Sequence, residues 1–490
     1  MLNYLNNQIS VADSFSECAY LFKEEPPAFI QLLSEYINIS DYISYNFKRK
    51  FYSDFGRPRE YPLYGFISAL VLKNIFKIPD DPLLIIFLNF SPDLRKFCGF
   101  SKVPDKTQLS KFRTSYVDEL QKLFDSLVDI TEPICQAIDP ELAAKLSYDT
   151  TAVESCVTEN NPKFLNTEIR KLKGYYKFKK IKKSDSDIHK QAYSNMPKFS
   201  SADKSIRKMY ANGHFCYGRK FGIITNGLGI PRHIASLDDD FKDKHPDSIV
   251  TKDELPADSP DTEKTVSDSK SLIPVLTDFY NLHPNFKHSD FLGDSAFDND
   301  ATYKYLLLKD EFGNSLFNRA FIPLNLRGTK TELGQPSFNE AGIPLCPKDH
   351  SLKMIANGKS PEKGHSTRHK FICPKSKREG GTFVCKCEDP CTDSKYGRVV
   401  YVYPEKDLRM YPGIFRDSDI WASIYKIRGT IEQAINHIKV NMAVAARKTR
   451  NLKTVKADVL LAGISMLFTV ILADKIGRPE YIRSLKPLAC

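Results

Sequence analysis

Residues Leu142 to Ser155 read LAAKLSYDTTAVES. An apolar run after Pro140 carries an acid, Asp149, into a string of small hydroxyl residues, the pattern of a buried strand that delivers a carboxylate at its end. Downstream, Arg219 to Leu237 (RKFGIITNGLGIPRHIASL) reads as two strands joined at Asn226-Gly227, a strong hairpin signal. Thr265 to Tyr280 has helical spacing, and Asp290–Gly293 and Arg319–Leu326 read as short strands. A Gly-, Pro-, Lys- and Cys-rich segment from Gly334 to Ser394 interrupts the pattern. A strand at Arg398–Tyr403 and two or three helices follow. This succession predicts an α/β fold, a mixed sheet carrying an inserted subdomain.

Upstream, the chain reads as all-helical. Glu60–Ile78 and Asp81–Phe97 carry apolar residues every three or four positions, and Asp81-Pro82 suits a helix start. A third helix is expected from Asp105 toward Ile130, before Pro133. Its first turns place Thr107, Gln108, Ser110, Lys111 and Arg113 where a recognition helix would face a groove. The expected units are 1–140 (helical), 141–333 (first part of the core, with a basic insertion at 160–215), 334–397 (Cys-rich insertion) and 398–490 (last part of the core and C-terminal helices). The apolar run Val459–Ala473 falls short of the ~20 residues that span a bilayer and reads as a buried core helix. The amino terminus lacks a basic segment followed by an apolar one, so a cytoplasmic protein without a membrane partner is expected.

Charge narrows the function. The 490 residues hold 71 Lys and Arg against 60 acids, a net of +11. From Lys163 to Lys220 there are 16 bases and 4 acids, interleaved with Phe164, Tyr175, Tyr176, Phe178, Tyr193 and Tyr210. Such a tract, with Lys177, Lys179, Lys180, Lys182 and Lys183 at its centre, is either a solvated charge run or a track for a polyanion backbone. The Asp238-Asp239-Asp240 run reads as a solvated turn. Five of the eleven cysteines lie between Cys346 and Cys391. Cys373, Cys385, Cys387 and Cys391, with a Cys346-x3-His350 pair nearby, offer the soft ligands of one tetrahedral zinc; reduced, unmetallated thiols are the alternative.

Three acids stand out by position. Asp149 and Asp294 (in FLGDSAFD, residues 291–298) end expected strands, with Asp298 a rival for the second. Glu432 lies on the helix IYKIRGTIEQAINHIK, residues 424–439. At ~100° per residue Tyr425, Arg428, Glu432 and Lys439 share one sector, which Trp421 joins, beside an apolar sector of Ile424, Ile427, Ile431, Ile435 and Ile438. An ordinary amphipathic helix with an Arg428–Glu432 pair is the plain alternative.

Tyr425-x2-Arg428-x3-Glu432-x6-Lys439, with Asp149 in YDTT and Asp294 in GDSAFD, resembles the signature of bacterial insertion-sequence transposases that use an Asp-Asp-Glu triad. The amino-terminal helices, with GRPREYPLYGFISALVLKNIF and VPDKTQLSKFR, resemble the helical DNA-binding domain preceding the catalytic core in that family. The resemblance implies a ribonuclease-H-like core in which Asp149, Asp294 and Glu432 bind two Mg²⁺ (or Mn²⁺) ions per active site. Carboxylates suit such hard cations, and two of them can activate an attacking oxygen and stabilise a leaving one. It further implies that Arg428 and Lys439 hold phosphates of the element's end, that Tyr425 contacts the phosphate backbone or helps hold a distorted terminal nucleotide, and that Trp421 stacks on an extruded base, a core Trp being the alternative. The implied partners are double-stranded DNA, as element ends and target, and a second copy on paired ends, in a bacterial cytoplasm and associated with the nucleoid. An inert sequence-specific DNA-binding protein and a nuclease that hydrolyses without joining are the rival functions.

Overall fold

The computed structural model describes residues 28–52, 57–211, 214–251, 265–326, 337–360 and 368–484. The first 27 residues of the expected helical unit, the acidic stretch 252–264 and the start of the Cys-rich insertion lie outside the described residues.

Six strands form the main sheet: β1 Lys145–Glu154, β2 Arg207–Ala211, β3 His214–Asn226, β4 Pro231–Ser236, β5 Asp290–Leu292 and β6 Arg319–Phe321. β1 runs antiparallel to β3, with Asp149 opposite Ile223, and parallel to β5, which runs parallel to β6. β2 and β4 pair with opposite ends of β3. The order across the sheet is therefore β4–β3–β1–β5–β6, with β2 extending β3. The Asn226-Gly227 signal marks a real turn, but a longer one than two residues. Asn226 exchanges bonds with Ile230, and Gly229 supplies the positive φ (+75°). A Cβ on Gly229 would lie 3.2 Å from the Thr430 carbonyl, so this turn abuts the helix of Glu432.

The helical half matches its pattern with three adjustments. Leu63–Ile75 forms one helix, and the second expected helix splits into Asp81–Phe90 and Pro92–Phe97, because Ser91 caps a new turn through Leu94 N. The third splits into Lys106–Ser115 and Val117–Ile138, and Pro133 lies inside the latter instead of ending it. Leu120, Leu123, Phe124, Leu127 and Val128 bury one face of that helix, and packing of this kind outweighs the local cost of a proline.

Leu452–Lys475 is the central helix. By length and composition it could cross a membrane, yet it is buried along nearly its whole length within the protein. Gly463 allows its closest approach: a Cβ there would lie 2.7 Å from Phe124 and 2.8 Å from Ile234. Apolar residues of the amino-terminal helices, β3, β4, the Glu432 helix and this central helix form one continuous cluster. The expected 1–140 unit thus shares its core with the rest of the chain.

An ionic group sits inside that core. Asp458, 1% exposed, accepts from Arg113 Nη1 at 2.9 Å and from Arg447 Nη1 at 2.8 Å. Arg113 also pairs with Asp81, which Lys73 reaches at 2.6 Å. Burial alone would raise the Asp458 carboxyl; Arg447 and Arg113 outweigh it and hold the pKa below its ordinary value. Arg113 is therefore a core residue and not a groove-facing one, whereas Thr107, Gln108 and Lys111 are exposed as expected. Asp238, likewise, is no solvated turn: it caps a helix Asp239–Lys244 through Phe241 N and pairs with Lys456 at 3.2 Å.

The insertion contains β7 Ile355–Ser360, β8 Arg368–Ile372, β9 Ser376–Glu379 and β10 Thr382–Cys385. β11, Val399–Val402, pairs with β8. The strand assigned to the core thus closes the insertion's own sheet, because Val400 and Val402 bury against Phe371, Met354 and Ile343. The basic tract folds as two helices, Pro162–Phe178 and Asp185–Asn195, packed through Ile169, Tyr176, Ile188 and Ala192.

Breaking a buried charge group from one side leaves the partners uncompensated, at about 3–5 kcal/mol. Asp458→Ala should destabilise the chain by roughly that amount, measured by denaturant unfolding of the full-length protein. Thr107→Ala, on the exposed face of the Lys106–Ser115 helix, should shift stability by no more than about 0.5 kcal/mol.

Candidate active site

Three elements bring the acids to one place. Asp149 sits midway along β1, paired there with Ile223 of β3 and two residues past the end of the pairing with β5 at Ser147. Asp294 follows β5 and caps the single helical turn Ser295–Phe297, accepting from Ser295 N at 2.5 Å. Glu432 lies on the helix Gly429–Asn436, whose Ile431 and Ala434 are buried. Their common partner is Arg428. Its Nη2 lies 3.5 Å from both Asp149 Oδ2 and Asp294 Oδ2, and its Nη1 donates to Glu432 Oε1 at 2.8 Å.

Burial pushes the Asp149 carboxyl up to about 6. Arg428 and the Thr150 amide oppose that shift, and Asp294 and Asp268 add to it. Asp268 is the neighbour that sequence reading missed. It opens the helix Asp268–Leu282, accepts from Thr150 Oγ1 and pairs with Lys220 at 2.6 Å. Only the tertiary fold brings it beside Asp149, so the sequence holds no local signal for it. The three carboxylates against one guanidinium leave a net charge of −2 when all are ionised. That charge and an all-oxygen donor set fit hard divalent cations.

Asp298, the rival to Asp294, is taken up by protein partners. Its side chain is fully buried and bound by Arg409 (Nη2 at 2.9 Å), Tyr303 Oη at 2.8 Å and the Asn325 amide at 2.7 Å. Asp294 keeps nearly half of its side chain exposed.

The residues around Glu432 lie on one helical stretch of changing pitch: Asp419–Tyr425 is α-helical, Lys426–Arg428 a 3₁₀ turn, and His437–Asn441 a π turn. Ile431 and Ile438 are buried, while Ile424, Ile427 and Ile435 are only partly so. Trp421 stacks on Tyr425, with centroids 4.6 Å apart and planes 17° apart, and borders Phe321 of β6. Burial raises the Tyr425 hydroxyl above its ordinary pKa, and the nearby Arg428 charge opposes that shift. Lys439 does not meet the acids; its Nζ reaches Thr151 Oγ1 at 3.3 Å, two residues along β1 from Asp149. Lys177, Lys179, Lys180, Lys182 and Lys183 are exposed at the end of the Pro162–Phe178 helix and the turn after it, with Tyr175 and Phe178 exposed among them.

Residues 19–115 match the family model described as Transposase domain (DUF772). The match supports a transposase family and a DNA partner. It ends with the Lys106–Ser115 helix and covers none of the three acids, so it is independent of the site geometry. No curated protein and no solved structure matches the chain.

Protons compete with cations for a carboxylate whose pKa lies near 6. Mn²⁺ affinity of the full-length protein should fall as pH drops from 7 to 5, with its midpoint near the Asp149 value. Arg428→Gln should move that midpoint upward by removing the favourable charge. Calorimetric titration in buffers of different ionisation enthalpy reads both effects, and an affinity flat across this range would contradict them.

Proposed function

We propose that this protein is a DNA transposase that binds the terminal inverted repeats of its own element, cleaves at the element's ends and joins them to target DNA. The observation that carries the reading is the convergence of Asp149, Asp294 and Glu432, from three distant segments, on the Arg428 guanidinium. The sheet order adds support, since a central strand flanked by an antiparallel hairpin and two parallel strands is the arrangement expected of a ribonuclease-H-like core. The transposase-domain match supports it from the other end of the chain.

In this reading Asp149, Asp294 and Glu432 hold Mg²⁺ or Mn²⁺. Such a pair of ions, when bound, supplies Lewis-acid activation of the attacking oxygen and charge stabilisation of the leaving 3′ oxygen. Two of the acids come from the sheet, which sets their spacing, and the third comes on a helix whose buried face fixes its rotation. Arg428 offsets their mutual repulsion and presents a planar donor to phosphate oxygens. Lys439, beside Thr151, adds a second phosphate donor further along β1. The stacked Trp421–Tyr425 pair offers an aromatic surface to a displaced base. The exposed lysines of 177–183 follow the phosphate backbone, with Tyr175 and Phe178 able to stack. Two ends must be processed together, which calls for two copies of the chain.

The test is incubation of the full-length protein with Mg²⁺ and DNA carrying the inverted repeats that flank its own gene. Joined products are expected; cut but unjoined DNA would make it a nuclease, and binding alone an inert DNA-binding protein. Alanine at Asp149, Asp294 or Glu432 should reduce cleavage to background and leave repeat binding largely intact, because the phosphate-binding side chains remain. Asp298→Ala should instead lower the melting temperature, since it strips Arg409 of a buried partner.

Binding should also weaken steeply with salt. Replacing Lys177, Lys179, Lys180, Lys182 and Lys183 with Ala should flatten the log–log slope by about 0.9 for each phosphate no longer neutralised. An unchanged slope, measured by fluorescence anisotropy, would reduce the tract to a solvated helix end.

A further inference from the structure

The inserted module has little to hold it together. Its buried apolar cluster is Ile343, Met354, Phe371, Val400 and Val402, and small modules with cores of that size ordinarily need a covalent or metal staple. Its five cysteines are all free thiols.

Four of them are gathered by the fold. Cys373 follows β8 and begins a Cys-Pro-Lys turn closed by Ser376 N on the Cys373 carbonyl at 3.1 Å. Cys346 begins a second Cys-Pro-Lys turn, its amide bonded to Leu352 O at 2.9 Å. Cys385 ends β10 opposite Ser376, which brings it next to the first turn. Gly397 (φ +83°) lies between these two: a Cβ on it would stand 3.3 Å from Cys373 Cβ and 3.6 Å from Cys385 Cβ. An ion pair between Lys348 and Asp389 draws the loop of Cys391 onto the Cys346 turn. Ile343 and Phe371, three and two residues before Cys346 and Cys373, share the module's buried cluster, so both turns leave one small core with their cysteines buried. Cys387 is oriented otherwise and donates to the Asp389 carbonyl at 3.2 Å.

We propose that Cys346, Cys373, Cys385 and Cys391 are the four thiolate ligands of one structural zinc ion that closes the inserted module, with Cys346 taking the place that sequence spacing gave to Cys387. A Cys-Pro-Lys turn and a strand end that meet around Gly397, with a second Cys-Pro-Lys turn tied through Lys348–Asp389 to the loop of Cys391, form a set of soft ligands with no oxygen or nitrogen donor among them, which selects zinc over magnesium. No three of these sulfurs lie within 4.8 Å of one another. A tetrahedron with ~2.3 Å zinc–sulfur bonds has edges of ~3.8 Å, so ligation draws the turns inward. Each thiol gives up its proton on binding, and the metal's binding energy becomes stability of the module. The site does not depend on the reading of the three acids.

Metal analysis of the full-length protein, purified without chelator, should find about one zinc per chain. Zinc should be retained by Cys387→Ser and lost from Cys346→Ser and Cys391→Ser. Because a serine variant can lose metal by unfolding, the wild-type chain is also reconstituted with Co²⁺. Its spectrum should combine tetrahedral d–d bands with the charge-transfer intensity of four thiolates. Removing the metal should open residues 337–402 to protease ahead of the core. A metal-free protein, retention by Cys346→Ser with loss from Cys387→Ser, or a cobalt spectrum of fewer thiolates would overturn the proposal. So would loss of zinc from Cys216→Ser, because Glu154, His214 and Cys216 bring three ligand-type atoms within 4.8 Å of one another on the main sheet.

Discussion

The buried carboxylate of Asp458 joins parts of the chain that are hundreds of residues apart. Arg113 comes to it from the amino-terminal helices, and Arg447 from the segment that follows the Glu432 helix. Arg447 also bonds the Met442 carbonyl at 3.2 Å and pairs with Asn74, which reaches Ser465 on the central helix at 2.9 Å. The group holds two acids and three bases, and burial, with the nearby Arg447 charge, lowers the Lys73 amine below its ordinary pKa. The consequence for function is positional. The end of the helix that carries Glu432 is tied through Arg447 to the same carboxylate that fixes the amino-terminal helices, so the third acid and the family-matched region share one anchor.

Sequence reached the acids because local pattern carries them. Asp149 at the end of an apolar run and Glu432 on an amphipathic helix are periodicity signals, and periodicity survives without knowledge of the fold. The role of Arg113 was not legible. It occupies a polar-basic helix start that reads as groove-facing, and its partners Asp81 and Asp458 lie on other helices. Asp294 and Asp298 could not be told apart for the same reason. Both follow one short strand, and only the fold brings Arg409, Tyr303 and the Asn325 amide together to saturate one of them. The pairing of β11 was missed because a four-residue apolar strand specifies burial, not the sheet that buries it.

At the site itself, stability and chemistry pull apart. Burial and the neighbouring acids disfavour ionised Asp149, and a single guanidinium leaves the cluster negative. A sequence selected for stability alone would separate these acids or neutralise them fully. Their placement around one Arg, with Asp149 held near 6, is what a site needs if the missing positive charge is to arrive with a ligand.

The insertion returns to the core at a sensitive place. After β11 the chain passes Arg409, which binds Asp298, and then Arg416, which donates to the Ile322 carbonyl beyond β6 and to Tyr303 Oη. Asp298 lies on the same short turn that Asp294 caps. A few residues later Trp421 packs beside Phe321 and on Tyr425, one helical turn before Arg428. The exit of the module is therefore braced against the segments that present Asp294 and Arg428. The insertion lies far along the chain from Asp149, yet the segment by which it rejoins the core is bound to the turn of Asp294 and runs on into the helix of Arg428.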